Sequence, residues 1–308
     1  MTVYKPVDCG NSTFLDIRGK KYHIKVWGEN DAPVLFYLHG WADTGSTFQF
    51  VVDALQSKWR IIAIDWRGFG RSEKINSNYW FPDYLADLDE ILRFYSSDQP
   101  ATLIGHSMGA NIASLYAGIK PEAINQLINI EGFGLNDSDP KNAPNNYRRW
   151  LEQQQLIPVF KAYASYDELV PRILKRSPNM KLEQAEFVAR EWAYKDANGQ
   201  INLRADPFHK LPNAVQYRRQ EAEACWQQIQ ARTLFIWGEN TNFKEQMQLL
   251  KEVNSKDHPF FSAKTECVSD AGHMIHFEAP KLLALAIENF LLNNLLRYIS
   301  DLSHRIVT

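Results

Sequence analysis

Apolar and polar residues along this chain follow two alternating rhythms. Near the N-terminus, "TFLDI" from Thr13 and "YHIKVW" from Tyr22 switch between apolar and polar almost residue by residue, a period of two that predicts an opening hairpin. Farther on, "PVLFYL", "RIIAID", "ATLIG", "LINI" and "TLFIW" are unbroken apolar runs separated by longer segments. Such runs suit parallel strands covered on both faces. After Ser107, the residues Met108, Ile112, Leu115, Tyr116 and Ile119 recur at helical spacing until Lys120-Pro121 stops them. "KLLALAIENFLLNNLLRYIS" from Lys281 predicts a terminal helix that packs its apolar surface on the sheet, in preference to a coiled coil or a membrane helix. The pattern predicts an α/β protein with a mostly parallel central sheet flanked by helices.

One region breaks the rhythm. "NDSDPKNAPNN", from Asn136, has loop composition, and the chain from there to about Trp226 reads as helical and aromatic, with Trp150, Phe160, Tyr163, Tyr166, Phe187, Trp192 and Tyr194. This predicts a helical cap inserted between two strands: residues 1–134 as the first part of the core, 135–228 as the cap and 229–308 as the second part of the core. Most of those aromatics are expected to form the cap's own core, with a few lining a pocket beneath it.

Composition narrows the partner. The 308 residues are 45% hydrophobic, enough for a large core, and 34 Lys and Arg against 36 Asp and Glu leave a net charge of -2. A broad cationic surface for nucleic acid or anionic membrane is absent, so a small-molecule substrate is expected. "MTVYKPVDCG" lacks the basic and apolar parts of a signal peptide, and no apolar run reaches membrane-spanning length. A cytoplasmic protein is therefore expected, with Cys9, Cys225 and Cys267 as reduced structural thiols. Three widely separated cysteines do not suit a metal site, and no cofactor is expected.

The chemical signal is "LIGHSMGAN". Gly105-His106-Ser107-Met108-Gly109 fits G-x-S-x-G directly after a predicted strand and directly before a predicted helix, the context a nucleophile elbow requires. The sharp turn strains Ser107 and exposes its hydroxyl, while Gly105 and Gly109 relieve the crowding. The helix N-terminus favours negative charge developing beside it. A second signal is "LINIEGFGL", where Glu131 ends an otherwise buried strand; a carboxylate there implies a partner.

These motifs resemble the α/β-hydrolase family over most of the chain outside the cap. "LFYLHGWADT" resembles its oxyanion loop, "AIDWRGFGRS" its strand and turn before the elbow, and "DAGHMIHFEAP" the loop carrying its histidine. The resemblance makes His273 the general base of Ser107 and the backbone N–H groups of Trp41 and Met108 the oxyanion donors. His39 and His106 belong to neighbouring motifs and are expected to hydrogen-bond within the core. The family's acid usually follows the strand matching "TLFIW", but Gly238-Glu239-Asn240-Thr241 places a threonine there, which cannot supply the charge. Some members carry the acid one strand earlier, where this chain has Glu131. Glu131 is thus the expected third member, with a hinge salt bridge for Glu131, or Glu239 as a displaced acid, as the alternatives.

The implied activity is hydrolysis of a small-molecule carboxylic ester through an acyl-enzyme. Serine as nucleophile disfavours the family's dehalogenases and epoxide hydrolases, which use aspartate there. Thioesters, lactones, carbon–carbon bonds and a non-hydrolytic ligand receptor remain open to the same scaffold. Asp65 and Arg67 are expected to build a turn, and Arg148 and Arg149 a solvated cap face.

Overall fold

The computed structural model describes residues 3–243 and 263–292. Strands β1 (Asn11–Ile17) and β2 (Lys20–Trp27) form the predicted antiparallel hairpin. Its two-residue turn places Arg18 and Gly19 at φ of 51° and 70°, the left-handed pair that matches the twist of the flanking strands.

Next come β3 (Val34–Leu38), helix α1 (Gln49–Val52), β4 (Arg60–Ile64), α2 (Phe81–Tyr95), β5 (Ala101–His106), α3 (Met108–Ile119) and β6 (Ile124–Ile130). After β6 lies an insertion. It comprises α4 (Ala143–Gln153), α5 (Val170–Arg176), α6 (Leu182–Trp192), a small hairpin of β7 (Ala193–Lys195) and β8 (Ile201–Leu203), and α7 (Arg219–Trp226). The chain then returns through β9 (Arg232–Gly238), β10 (Lys264–Val268) and α8 (Ile275–Glu278), and a helical stretch covers 280–292. The rest of the predicted terminal helix, from 293 onward, lies outside the described residues.

The central sheet runs β1-β2-β4-β3-β5-β6-β9-β10. From β4 to β10 every pairing is parallel, while β2 pairs antiparallel with both β1 and β4. The unbroken apolar runs are explained by their two faces. Phe36, Leu38, Ile62 and Ile64 pack with Leu88, Ile91, Ile112 and Tyr116 from α2 and α3. Their neighbours Leu35, Tyr37, Ile61 and Ala63 face the opposite side, packing with Val51, Leu283, Ile287 and Phe290. Because side chains alternate across a strand, burial on both faces demands apolar residues at every position. Edge strand β10 has four exposed residues among its five, so "KTECV" carries no apolar run and the pattern did not reveal it.

The insertion is less purely helical than its composition predicts. Leu169, Ile173, Val188, Ala189 and Ile201 form a core of their own, joined by Tyr163, Tyr166, Phe187 and Trp192 and seated on Phe50, Met274 and Phe277 of the main body. Trp150 and Phe160 are only half-buried and Tyr194 is exposed. Its final helix, α7, rests on α3 of the core. A Cβ at Gly118 would lie 1.8 Å from the Cys225 carbonyl oxygen, so only glycine permits that approach.

Candidate active site

The elbow is built by crowding. Ser107 follows β5 and precedes α3 with φ 51° and ψ -114°, a conformation that L-residues rarely adopt. A Cβ on Gly109 would sit 2.1 Å from the Leu38 carbonyl oxygen, and one on Gly105 would sit 2.5 Å from the Ala110 Cα. Both glycines of the motif therefore let α3 start tightly against the ends of β3 and β5. Ser107 and Met108 remain partly exposed while their neighbours Gly105, His106, Gly109 and Ala110 are buried.

The "HGW" loop leaves β3 against this turn. A Cβ on Gly40 would be 3.2 Å from Ser107 Cβ, so the backbone running into Trp41 passes beside the serine. Trp41 is half exposed, its ring meeting Phe69 edge-on, and the next residue, Ala42, is held at φ 59°. Its neighbour His39 accepts the Trp66 backbone N–H at Nε2 (2.9 Å) and donates from Nδ1 to the Gly40 carbonyl (2.7 Å), anchoring the loop from below.

Glu131 sits at the end of β6 and is 2% exposed. It is also left-handed, at φ 58°. Its Oε2 lies 3.0 Å from His273 Nδ1 and accepts the Thr241 hydroxyl at 2.6 Å, while its Oε1 accepts the Gly238 backbone N–H at 2.8 Å. Both oxygens of a buried carboxylate are thus satisfied by fixed donors. A carboxylate oxygen can only accept, so His273 Nδ1 is the donor, which in the neutral imidazole leaves the lone pair on Nε2. Glu239 points elsewhere: it is exposed, and its Oε2 accepts the Asp270 backbone N–H at 3.2 Å.

Two other histidine–carboxylate pairs exist among the described residues, and burial separates them from this one. His23 meets Asp65 at 2.8 Å and His276 meets Asp43 at 3.1 Å, but both imidazoles are 0% exposed, against 22% for His273. Of these three imidazoles, only that of His273 is open to solvent. Sequence reading missed both buried pairs, whose members lie 42 and 233 residues apart with no motif joining them.

These pairs build the scaffold around the serine. Asp65 accepts the backbone N–H groups of Gly45 (2.7 Å) and Arg71 (2.9 Å) besides His23, the turn-building role expected of it. Burial opposes its charge, yet the hydrogen bond and charge of His23, then the nearby His39 and the Arg71 N–H, hold its carboxyl below the usual carboxylate range. Asp43 is lowered in the same way: burial is outweighed by the hydrogen bond and charge of His276, and it also accepts Trp192 Nε1 from the cap at 2.7 Å. Arg67, likewise a turn residue, pairs with Asp87 at 2.5 Å. Arg148 and Arg149 are exposed on α4, a solvated face.

His106 occupies the gap between these groups. Its Nε2 lies 2.8 Å from the His273 carbonyl oxygen, so Nε2 holds the proton and clamps the histidine loop to the elbow. Burial first, then the nearby His276 and His273, pushes His106 well below the ordinary histidine value. Asp43, His106 and His276 bring possible metal-ligating atoms within 4.8 Å of one another. His106 Nδ1 faces Gly40, where a Cβ would come within 2.8 Å; His276 Nε2 is engaged with Asp43, while His106 Nδ1 and His276 Nδ1 have no hydrogen-bond partner. Within the trio the only hydrogen bond joins His276 to Asp43, and His106 touches His276 ring to ring at 4.5 Å. All three cysteines are free thiols, and among the described residues no helix is long and apolar enough to cross a membrane.

Comparison with known proteins places this geometry in context. Residues 33–280 match the sequence model of the alpha/beta hydrolase fold. A serine hydrolase-like protein of Danio rerio is 23% identical over 275 residues, spanning 87% of this chain and 84% of its own. Epoxide hydrolase 1 of Caenorhabditis elegans is 20% identical over 301 residues, spanning 91% of this chain and 70% of its own. Among solved structures, the thioesterase domain from the curacin biosynthetic pathway superposes with a TM-score of 0.78 at 24% identity, covering 90% of this chain and 99% of that domain.

Proposed function

The chain belongs to the α/β-hydrolase fold family, and on that premise we propose that it is a serine hydrolase of small-molecule carboxylic esters, acting through an acyl-enzyme. One observation carries the reading: of the three histidine–carboxylate pairs among the described residues, the one open to solvent, His273 with Glu131, belongs to the loop that His106 ties to the serine elbow.

Ser107 is the nucleophile. With Nδ1 protonated against Glu131, His273 Nε2 takes the hydroxyl proton as the oxygen attacks the ester carbonyl, and the imidazolium that forms is stabilised by the Glu131 carboxylate. The backbone N–H groups of Met108, at the start of α3, and Trp41 receive the oxyanion. His273 then protonates the leaving alcohol, and water repeats the sequence to release the acid. The serine at the nucleophile position separates this chemistry from an aspartate-dependent epoxide hydrolase. The insertion over 135–228 is the cap that encloses the substrate, favouring short or medium acyl chains.

A panel of p-nitrophenyl esters of increasing chain length, run on wild type and Ser107→Ala, tests this. The variant should lose about 10⁴-fold or more in turnover while keeping its thermal stability. Covalent labelling by a fluorophosphonate should require Ser107. Labelling without release of any product across the panel would instead identify a ligand receptor.

A further inference from the structure

Thr241 stands at the position where sequence reading looked for an acid and found none. Its structural role is specific. The side chain is 1% exposed, and its hydroxyl donates at 2.6 Å to Glu131 Oε2, the same oxygen that faces His273 Nδ1 at 3.0 Å. The hydroxyl's own orientation is fixed from the other side, because its oxygen accepts the Phe243 backbone N–H at 3.3 Å. With its lone pairs directed there, its proton points to Glu131. The Phe243 ring in turn lies 4.8 Å from the His273 ring.

Resting on the triad reading above, we infer that Thr241 is a positioning residue for catalysis, acting on His273 through the Glu131 carboxylate. A glutamate side chain has one more rotatable bond than an aspartate and reaches His273 from a strained, left-handed backbone position at φ 58°. Two fixed donors restrict it: the Gly238 N–H holds Oε1 and the Thr241 hydroxyl holds Oε2. The first is main chain and survives any substitution. The second is the one bond a side-chain change can remove, and without it the carboxylate rotates away from the line on which it supports the imidazolium. The loss falls on the step that forms the imidazolium, so kcat suffers while substrate binding does not.

The test is a double-mutant cycle on a p-nitrophenyl ester, with Thr241→Val, Thr241→Ser, Glu131→Gln and the Thr241→Val/Glu131→Gln pair. Valine keeps the shape and removes the hydroxyl, and losing one hydrogen bond to a charged group should lower kcat by about 10- to 100-fold with KM nearly unchanged. Serine restores the donor and should recover most of the loss. On the Glu131→Gln background the valine change should cost less than about twofold, since the carboxylate it acts on is already gone. Equal losses on both backgrounds would give Thr241 a role independent of Glu131 and overturn the inference. So would a folded Thr241→Ser enzyme as impaired as Thr241→Val, or wild-type turnover in Thr241→Val beside a crippled Glu131→Gln. Wild-type turnover in Glu131→Gln would remove the triad acid and this inference together.

Discussion

Replacing Glu131 by glutamine is the perturbation that most directly probes the site. The substitution keeps the volume of a side chain that is 2% exposed but exchanges one acceptor oxygen for an NH₂ donor. Every direction available to that NH₂ faces a donor already: Gly238 N–H at 2.8 Å, the Thr241 hydroxyl at 2.6 Å, or His273 Nδ1 at 3.0 Å. In the ground state, one donor pair must separate or His273 must change tautomer, placing its proton on Nε2 and its lone pair on the wrong side. In the transition state, the imidazolium loses a charge-assisted hydrogen bond worth about 1.5–3 kcal/mol, before the tautomer penalty is added. At 1.36 kcal/mol per decade these losses together correspond to a turnover decrease of about 10²- to 10⁴-fold. Steady-state hydrolysis of a p-nitrophenyl ester by Glu131→Gln and Glu239→Gln measures it, with a thermal melt to show that both remain folded. Glu239 is exposed and bonded only to the Asp270 backbone within the described contacts, so its variant should match wild type. Turnover above half of wild type in Glu131→Gln, or a large loss in Glu239→Gln, would refute the argument and leave Glu131 as a hinge anchor.

Two further outcomes concern stability. Asp87, 0% exposed, receives Arg67 at 2.5 Å and Arg18 at 3.0 Å as well as the Tyr22 hydroxyl, and Asp87→Asn leaves Arg67 with Asp83, at 3.1 Å, as its remaining carboxylate partner, so chemical denaturation should show a loss of about 1.5–3 kcal/mol; a variant within about 0.5 kcal/mol of wild type would contradict this. His209, stacked between Phe69 and Tyr79, is lowered by burial to about 4. The unfolded chain takes up that proton near pH 6.5 and the folded one does not, so stability is full above pH 6.5 and declines as pH falls from there toward 4. Denaturation midpoints at several pH values should show a shallower decline in His209→Phe than in wild type, and parallel slopes would remove His209 from the acid response.

How much of this was legible in the sequence differs from residue to residue. The parallel strands announced themselves because burial on two faces requires an apolar residue at every position, and the elbow did so because its G-x-S-x-G pattern occupies five consecutive residues, although part of the crowding it answers comes from Leu38 on β3. Glu131 was conspicuous for a local reason too, a carboxylate ending an apolar strand. Its partner was not local. His273 lies 142 residues away and Thr241 110 residues away, and nothing in the intervening chain states that β6 and β9 end side by side. Thr241 read as a missing acid until the sheet set its hydroxyl against the acid that replaces it. The same holds for His276 with Asp43 and His23 with Asp65, equal in chemistry to His273 with Glu131 and distinguished only by solvent exposure. Periodicity and strained turns are properties of neighbouring residues and can be read along the chain. Pairing and access depend on which strand ends meet and what covers them, and those are decided only when the sheet closes and the cap settles on it.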